Sequence, residues 1–359
     1  MIPYIKRRPY NDEIRLAVSA YLNDEYEASI NQLEQFEKEF SEFMGLDHCI
    51  CVSSGSAALH LALLACDVKP GDEVITTANA CTAVSDFILW CGATPVFVDV
   101  EPETYNINTD LLDSAITSKT KAIIPVHLYG HPVDMNPILE IAERKSLYII
   151  EDAAQAAGAI FRDKRVGTMG TIGIYSLTKN LGGYGGAILT KDEKIAYKVG
   201  MLRHFGRPGI SPRQEILGIR YTIAGLNILI DRFQLKSLDS NNEIRYQNAQ
   251  KYKNFLKNIP DIILPVEKKW AKHVYYHFIL RVKRRDELMK YFYKEGIEAQ
   301  CHYPIPIYDQ GAYKNLKVNK DLFSVTEKLS KEVVSLPTRP NLQLQDLIKI
   351  SETINNFYS

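Results

Sequence analysis

The chain has 359 residues, enough for two domains of ordinary size. Hydrophobic residues make up 46% of the chain and charged residues 24%, the balance of a soluble globular protein. Lysine plus arginine equals aspartate plus glutamate, 43 of each, so the chain has no overall basic field to hold nucleic acid or an anionic membrane.

The sequence indicates no signal peptide, no membrane span and no metal site. The first residues, MIPYIKRRPYNDEI, contain no apolar stretch of signal-peptide length. The longest apolar run, residues 57–65, is too short to span a bilayer and contains His60, so we expect a cytoplasmic protein. The six cysteines form no CxxC pair and have no Cys/His ligand spacing, so we expect neither a metal site nor a disulfide framework.

Short β-rich runs alternate with helical stretches from residue 49 to residue 191. The predicted strands are 49–54, 72–77, 94–100, 121–128, 147–154, 173–178 and 186–191. Near-continuous apolar strands that alternate with amphipathic helices are typical of a mostly parallel sheet with helices on both faces. Ligands bind beyond the carboxyl ends of such strands, and the polar stretches SSGS, HLYG and EDAAQ lie there.

The remaining elements predict a second unit. Residues 161–173 resemble a turn or hairpin, and a helical region at roughly 227–256 is expected to link two domains. From about residue 260 the pattern indicates a small α+β unit. We therefore expect a large α/β domain at 1–240 and a small C-terminal α+β domain at 241–359, and packing of the N-terminal segment on the small domain stays open.

The stretch SSGSAAL, residues 53–59, lies at a strand-to-helix turn. Gly55 allows a tight turn, and the amides of Ser56, Ala57 and Ala58 then head a helix, which favours an anion. The stretch lacks GxxxxGK[ST] and GxGxxG, so a phosphate bound there need not belong to a nucleotide. The alternative is that Ser56 is an ordinary N-cap.

The stretch EDAAQ ends an apolar strand with two carboxylates. Adjacent strand residues point to opposite faces, so Glu151 and Asp152 should diverge. A carboxylate at the end of a buried strand needs a proton or a positive charge nearby. The alternative is a structural carboxylate that caps a neighbouring helix.

The stretch YSLTKNLGGYGGAIL places one lysine between an apolar strand and a glycine-rich loop. Lys179 is either a solvated surface lysine or a residue that bonds covalently to a cofactor. A phosphate turn, a buried aspartate and a later lysine, in this order, fit pyridoxal phosphate. The phosphate would lie at the helix N-terminus, Asp152 would pair with the pyridinium nitrogen, and the Lys179 amine would form the Schiff base and then shuttle a proton.

Beyond these motifs, the sequence resembles the sugar aminotransferases of the DegT/DnrJ/EryC1/StrS family. The resemblance implies an α/β, fold-type I, aspartate aminotransferase-like architecture with a mostly parallel seven-stranded sheet and a small C-terminal α+β domain. It covers nearly the whole chain. The matching stretches are VSSGSAALHLALLA, KPGDEVITT, GATPVFVDVEPETYNI, TKAIIPVHLYGHPVDM, IIEDAAQAAGA, TKNLGGYGGAILT, AGLN, HYPIPIY and LSKEVVSLPTRP.

The resemblance implies roles for the cofactor site. Lys179 is similar to the Schiff-base lysine, Asp152 to the partner of the pyridine nitrogen, and Gln155 to the residue near the phenolic oxygen. The residues implied for the phosphate are Gly55, Ser56 and Ser176, with the helix-heading amide of Ala57 beside them.

It also implies a second chain and a substrate channel. Asn227 is similar to the asparagine that reaches the phosphate from the neighbouring subunit, which implies an obligate homodimer with composite sites; capping of the long helix is the alternative. His302 and Tyr303 match a segment near the nucleotide-sugar channel, or they pack within a loop. His127 and Tyr129 either line the site or belong to the core.

Four positions depart from the family pattern. Ser176 lies three residues before the lysine where the family usually has five, which leaves Thr178 as the alternative hydroxyl. Cys81 stands where an aromatic ring normally stacks on the cofactor, and Leu229 replaces an arginine. The loop GYGGA is shorter than usual and carries no acidic residue.

The expected activity is transfer of an amino group, with glutamate as donor, to a keto-deoxy sugar on a nucleoside diphosphate, for polysaccharide or natural-product sugar biosynthesis. A sugar dehydratase of the same fold is one alternative, against which Lys179 argues because family dehydratases carry histidine there. A non-catalytic regulatory or scaffolding homologue is the other.

Overall fold

The structure is a computed structural model that describes residues 1–5, 11–23, 25–209 and 211–359. Its strands are, in chain order, β1 (His48–Val52), β2 (Glu73–Thr77), β3 (Thr94–Val98), β4 (Thr120–Ile123), β5 (Tyr148–Asp152), β6 (Ile160–Phe161), β7 (Lys164–Arg165), β8 (Ile172–Ser176), β9 (Gly186–Thr190), β10 (Ile262–Ile263), β11 (Ala271–Lys272), β12 (Phe278–Val282) and β13 (Val333–Leu336).

The α-helices of the described residues connect and cover these strands. They are α1 (Asp12–Asn23), α2 (Glu25–Met44), α3 (Gly55–Ala65), α4 (Ala83–Trp90), α5 (Leu112–Ala115), α6 (Met135–Lys145), α7 (Glu193–Arg203), α8 (Gly225–Lys236), α9 (Leu238–Leu256), α10 (Arg285–Lys294), α11 (Ser324–Glu332) and α12 (Leu344–Tyr358). In this part of the chain, no helix has the length and apolar character needed to cross a membrane.

The central sheet has seven strands in the order β1-β9-β8-β5-β4-β2-β3. Only β9 runs antiparallel to its neighbours, β1 and β8, and the other pairs are parallel. The predicted mostly parallel sheet is therefore confirmed. Because the parallel strands end at the same edge, the polar residues that follow β1, β5 and β8 meet there.

Two hydrophobic cores lie on opposite faces of this sheet. In β8, Ile172 and Ile174 belong to the core that contains α3 and α7, whereas Tyr175 belongs to the core that contains α2 and α6. Cys49 and Cys51 of β1 pack on this second side as small apolar residues. Strands buried on both faces need apolar residues at every position, which explains the near-continuous runs in the sequence.

A second unit forms around the antiparallel sheet β10-β12-β13. Its core joins Tyr252 and Leu256 of α9 to Phe278 and Leu280 of β12. Ile2 belongs to the same core and bridges to residue 297, so residues 2–4 lie on this C-terminal unit, whereas α1 packs against α8.

The helical region predicted at 227–256 is two helices, and this prediction of one helix is wrong. Ser237 ends α8 with its N–H bonded to the carbonyls of Gln234 and Leu235, and α9 starts at the next residue. Leu238, at the start of α9, packs in the core of the large sheet, whereas Leu256, at its end, packs in the core of the C-terminal unit.

Helix α8 fixes the glycine-rich loop that follows β8. Asp231 of α8 accepts a hydrogen bond from the backbone N–H of Tyr184 at 2.7 Å. A Cβ at Gly183 would lie 1.6 Å from Asp231 Oδ1, so only glycine fits at that position. Asp231 is fully buried, and its Oδ2 has no hydrogen-bond partner among the described groups. Burial raises the pKa of Asp231 to about 8.

Asp231 should therefore make stability depend on pH. Between the unfolded pKa of about 4 and the folded pKa of about 8, the native state holds a proton that the unfolded state has released, so this contribution to stability falls as pH rises, by at most about 1.4 kcal/mol per pH unit. Asp231→Asn keeps the acceptor for Tyr184 but does not titrate. In urea unfolding at several pH values, the variant should gain stability relative to the wild type as pH rises from about 5 to 8.

The matched control is Asp110→Asn, which changes an exposed carboxylate. Its unfolding free energy should follow that of the wild type with pH. A constant difference between Asp231→Asn and the wild type over the same range would show that Asp231 does not carry the proton.

Candidate active site

The turn before α3 and the end of β8 are in direct contact. A Cβ on Gly55 would lie 2.9 Å from the Cβ of Ser176, so glycine is what allows the two segments to approach. Gly186, which begins β9, lies against the same turn, because its Cβ would be 2.4 Å from the carbonyl oxygen of Ser54. The result is a narrow, glycine-lined cradle at the N-terminus of a helix.

The hydroxyls of this cradle have distinct roles in the structure. Ser54 is the N-cap of α3, and its Oγ accepts a hydrogen bond from Ala57 N at 3.0 Å. The interpretation of Ser56 as the N-cap is therefore wrong, because the N-cap is Ser54 and the helix starts two residues earlier than that assignment requires. Ser176 Oγ lies 2.9 Å from Thr178 Oγ1, so both alternative hydroxyls stand side by side at the end of β8.

Asp152 ends β5 and is buried. Its Oδ1 accepts a hydrogen bond from Ala154 N at 3.0 Å, within the turn that follows the strand, and among the described residues it caps no neighbouring helix. Burial raises the pKa of Asp152, and the positive charge of Lys179 acts against this shift. The structure thus brings the predicted carboxylate and the predicted amine within electrostatic reach of each other.

Glu151 points away from Asp152, as the strand alternation predicted. Its carboxylate accepts backbone N–H bonds from Gly167, Met169 and Gly170 at 2.6–2.7 Å. His127 donates Nε2–H to it at 3.0 Å, because its Nδ1 accepts from Val133 N and so fixes the tautomer. The side chains of His127 and Glu151 are both fully buried and bond to each other at the end of the sheet. His127 therefore belongs to the core and does not line the site.

Gln155 connects the carboxyl end of β5 to the C-terminal unit. Its Oε1 accepts a hydrogen bond from Tyr129 N at 2.8 Å, and its Nε2 donates to Tyr303 Oη at 3.0 Å. Burial raises the pKa of Tyr303 well above its ordinary value, and the negative charge of Asp152 acts in the same direction. Tyr303 therefore approaches the predicted cofactor residues as a neutral phenol.

His302 belongs to a cluster that the sequence did not reveal. Its ring stacks on that of His277 with centroids 4.0 Å apart, and its Nδ1 lies 2.7 Å from Ser335 Oγ. Tyr4 Oη lies 2.5 Å from His277 Nδ1. Burial, and then the charge of Lys179, lower the pKa of His302 to about 4, and the pKa of His277 is lowered as well. Both rings are therefore neutral at physiological pH.

Lys179 is half-buried and opens onto a cavity of about 310 Å³. Asn227 lies in the first turn of α8, and its backbone N–H donates to Ala224 O. The segment just before α8 reaches the cradle, because Ser53 N donates to Tyr221 O at 2.8 Å, but among the described groups the Asn227 side chain makes no hydrogen bond to Gly55 or Ser176. Leu229, which replaces the family's arginine, is buried in α8, and Cys81 is exposed.

The residues present fit pyridoxal phosphate. The glycine-lined cradle at the start of α3 suits a phosphate, because the N–H groups of the helix end and the hydroxyls of Ser176 and Thr178 meet there. The buried carboxylate of Asp152 suits a protonated ring nitrogen, and the amine of Lys179 suits an aldehyde. In the described residues, no group of three His, Cys, Asp or Glu side chains is arranged to hold a metal ion.

Curated relatives share this chain's sequence over most of its length. A pleiotropic regulatory protein of Geobacillus stearothermophilus is 38% identical over 91% of this chain and 89% of its own. The dTDP-3-amino-3,6-dideoxy-alpha-D-galactopyranose transaminase of Aneurinibacillus thermoaerophilus is 36% identical over 99% of both chains.

Solved structures share the fold. DesV of S. venezuelae, in complex with a ketimine intermediate, superposes with a TM-score of 0.92 at 34% identity, covering 97% of this chain and 94% of its own. NtdA from Bacillus subtilis with bound cofactor PMP gives 0.87 at 30% identity over 96% and 82%. The predicted fold type and the predicted pyridoxal phosphate dependence are confirmed.

The profile of the DegT/DnrJ/EryC1/StrS aminotransferase family matches residues 10–355. This range includes the cradle, the carboxylate of β5 and the lysine that follows β8. The chain therefore belongs to the DegT/DnrJ/EryC1/StrS aminotransferase family, as its motifs predicted.

Proposed function

We propose that the protein is a pyridoxal phosphate-dependent aminotransferase that moves an amino group from glutamate to a keto-deoxy sugar carried on a nucleoside diphosphate. The observation that carries the proposal is the buried Asp152 carboxylate within electrostatic reach of Lys179, beside the cradle of Gly55 and Ser176. The sugar class is supported by the Aneurinibacillus relative, which is named a dTDP-amino sugar transaminase.

The cradle would hold the cofactor's phosphate. The amides of Gly55 and Ser56 head α3, and the paired hydroxyls of Ser176 and Thr178 stand beside them. The N–H of Ala57 donates to Ser54 Oγ, so Ala57 is proposed to contribute only through the positive end of the helix dipole. A helix N-terminus and neutral hydroxyls favour a phosphate dianion without the cost of burying further charges.

Asp152 and Gln155 would set the electronic state of the ring. Pyridoxal phosphate supplies an aldehyde for the amino group and a ring that withdraws electrons when its nitrogen is protonated. A carboxylate with a raised pKa, such as Asp152, shares a proton readily with the nitrogen that faces it. Gln155 Nε2, now bonded to Tyr303, is the donor proposed for the phenolic oxygen.

Lys179 would be both the attachment point and the proton carrier. Its Nζ would hold the cofactor in the absence of substrate; once freed, the amine would take up the proton from the Cα of the amino donor and later deliver a proton to the former keto carbon. The neutral rings of His302 and His277 place no competing positive charge beside the Lys179 ammonium. His302 and Tyr303 are proposed to line the nucleotide-sugar side.

A homodimer would complete each site. Asn227 is proposed to reach the phosphate in the partner's site, as the family resemblance implies. Helix α1 packs against α8, and its residues Leu16 and Leu22 are exposed. Exposed apolar side chains in one region favour a protein interface.

The alternatives make different predictions. The regulatory name of the Geobacillus relative favours a non-catalytic homologue as the second candidate function. Such a protein has no need for Lys179, Asp152 and Gln155 together, whereas a dehydratase has no need for a lysine that holds the cofactor covalently. A spectroscopic test separates all three.

Purified protein should show the near-visible absorption band of lysine-bound cofactor, and glutamate should bleach it. A nucleotide-linked keto sugar should then restore the band, and a screen of such sugars would identify the substrate. Lys179→Ala should lack the band and lose turnover, because it removes the nitrogen that is proposed to hold the cofactor and to move the proton. An unaltered band in this variant would reject the assignment, and a wild-type band that glutamate leaves unchanged would favour a dehydratase.

Asp152→Asn should keep the fold but lose activity. Asparagine cannot hold the ring nitrogen in its protonated state, so turnover should drop by about 100-fold or more. The loss would not reflect unfolding, because burial already disfavours the charged form of Asp152 and thermal stability should be maintained. Turnover within a factor of about three of the wild type would contradict the role of the carboxylate.

Asn227→Ala should weaken cofactor retention only through the partner subunit. In mixed dimers with one altered chain, one site should release cofactor faster and the other should retain wild-type kinetics. Two equally impaired sites, or two intact ones, would argue against a composite site. Cofactor release measured by dialysis and absorbance gives the readout.

A further inference from the structure

The cavity beside Lys179 is lined by positively charged arginine side chains that have no role in the reaction steps above. It lies between the loop that follows β8, helix α9 and the segment 337–341. We call it the arginine cavity, and the residues that define it are Lys179, Arg245, Arg339, Gln234, Asn241 and Asn341. Three of these residues carry positive charges. Among the described residues that line the cavity, none is Asp or Glu.

Arg339 is held in place from behind. It is only 7% exposed, its Nε donates to Pro3 O at 3.2 Å, and its Nη1 donates to Asn341 Oδ1 at 2.9 Å. Burial lowers the pKa of Arg339, and the negative charge of Asp346 acts in the opposite direction. A fixed guanidinium in such surroundings is suited to an anion that arrives from the cavity.

Arg245 approaches Lys179 from helix α9. Its guanidinium lies 5.7 Å from the centre of the Tyr276 ring. Its charge and that of Lys179 both lower the pKa of His277, so the two cations act on the same ring. An anion that enters the cavity would meet Arg245 close to the reactive amine.

We propose that the arginine cavity is the amino-donor site and that Arg245 and Arg339 each bind one carboxylate of an α-amino dicarboxylate. The inference rests on the proposed function, because the donor must deliver its amino group next to Lys179. Arginine binds a carboxylate through two parallel N–H bonds, so two arginines on one cavity select a molecule with two carboxylates.

The size of the cavity distinguishes this ligand from the sugar substrate. Its volume of about 310 Å³ lies at the lower end of the range of roughly 300–1,000 Å³ that is usual for small-molecule sites. A dicarboxylic amino acid fits such a space, whereas a nucleoside diphosphate sugar is several times larger. A diphosphate is the other anion that could reach these cations, and the experiment has an arm for each.

The donor arm follows bleaching of the cofactor band in single-turnover experiments on the holoenzyme. Arg245→Gln and Arg339→Gln should each raise the Kd for glutamate about 10- to 100-fold. Free alanine, used as an amino donor with only one carboxylate, shows which arginine binds which carboxylate of glutamate. If a variant removes the arginine that binds the α-carboxylate, both glutamate and alanine should bind more weakly. If it removes the arginine that binds the side-chain carboxylate, the enzyme should lose its preference for glutamate over alanine.

A binding measurement stands apart from catalysis. Glutarate, a dicarboxylate that cannot donate an amino group, should bind the wild-type holoenzyme in calorimetry and bind both variants at least about tenfold more weakly. This result would support the cavity even if glutamate failed to bleach the cofactor band, in which case the proposed function alone would be rejected. Absence of glutarate binding to the wild type would overturn the inference.

The sugar arm measures restoration of the band by the nucleotide-linked keto sugar. Its KM should change by less than about threefold in both variants; a large rise there, with glutamate affinity unchanged, would identify a diphosphate site and overturn the inference. Arg339→Lys keeps the positive charge, so it distinguishes the loss of charge from the loss of the contacts to Pro3 and Asn341. This variant should bind glutarate with intermediate affinity. Arg144→Gln, which changes an exposed arginine paired with Asp113, is the matched control and should match the wild type throughout.

Discussion

The candidate active site depends on a carboxylate that is buried at the end of a strand and faces a positive charge. Removing Asp152 from water is costly, and Lys179 offsets part of that cost through its own charge. The two residues reach each other because β5 and β8 are parallel neighbours whose carboxyl ends meet at one edge. The cradle at Gly55 joins them there, since its contact with Ser176 ties the start of α3 to the end of β8.

The large sheet could be predicted from the sequence because its strands are buried on both faces. Strands such as β8 and β9 are apolar at consecutive positions, which gives a signal that alternating polarity would have diluted. The predictions failed where a single residue decides between two local geometries. Ser54 and Ser56 are both acceptable N-caps in sequence, and Ser237 is no stronger a helix breaker than its neighbours, so backbone contacts made the choice.

The part of the site formed by distant segments had no local signal. Tyr4, Arg245, His277 and Arg339 come from four regions of the chain, and none lies in a motif with chemical meaning of its own. His277 stands in a run that indicates only a strand, and Arg339 follows a proline-rich turn. Their convergence beside Lys179 results from docking of the C-terminal unit on the sheet. By contrast, Gly55, Asp152 and Lys179 lie directly at strand ends, where sequence order and position are linked.

Helix α9 has a mechanical consequence for the site. It runs without interruption from Leu238 in one core to Leu256 in the other, a distance of about 27 Å at 1.5 Å per residue. Arg245 lies near the middle of this helix, so the position of its guanidinium is tied to both cores at once. A change in packing at either end of α9 would therefore alter the distance between Arg245 and Arg339 across the arginine cavity.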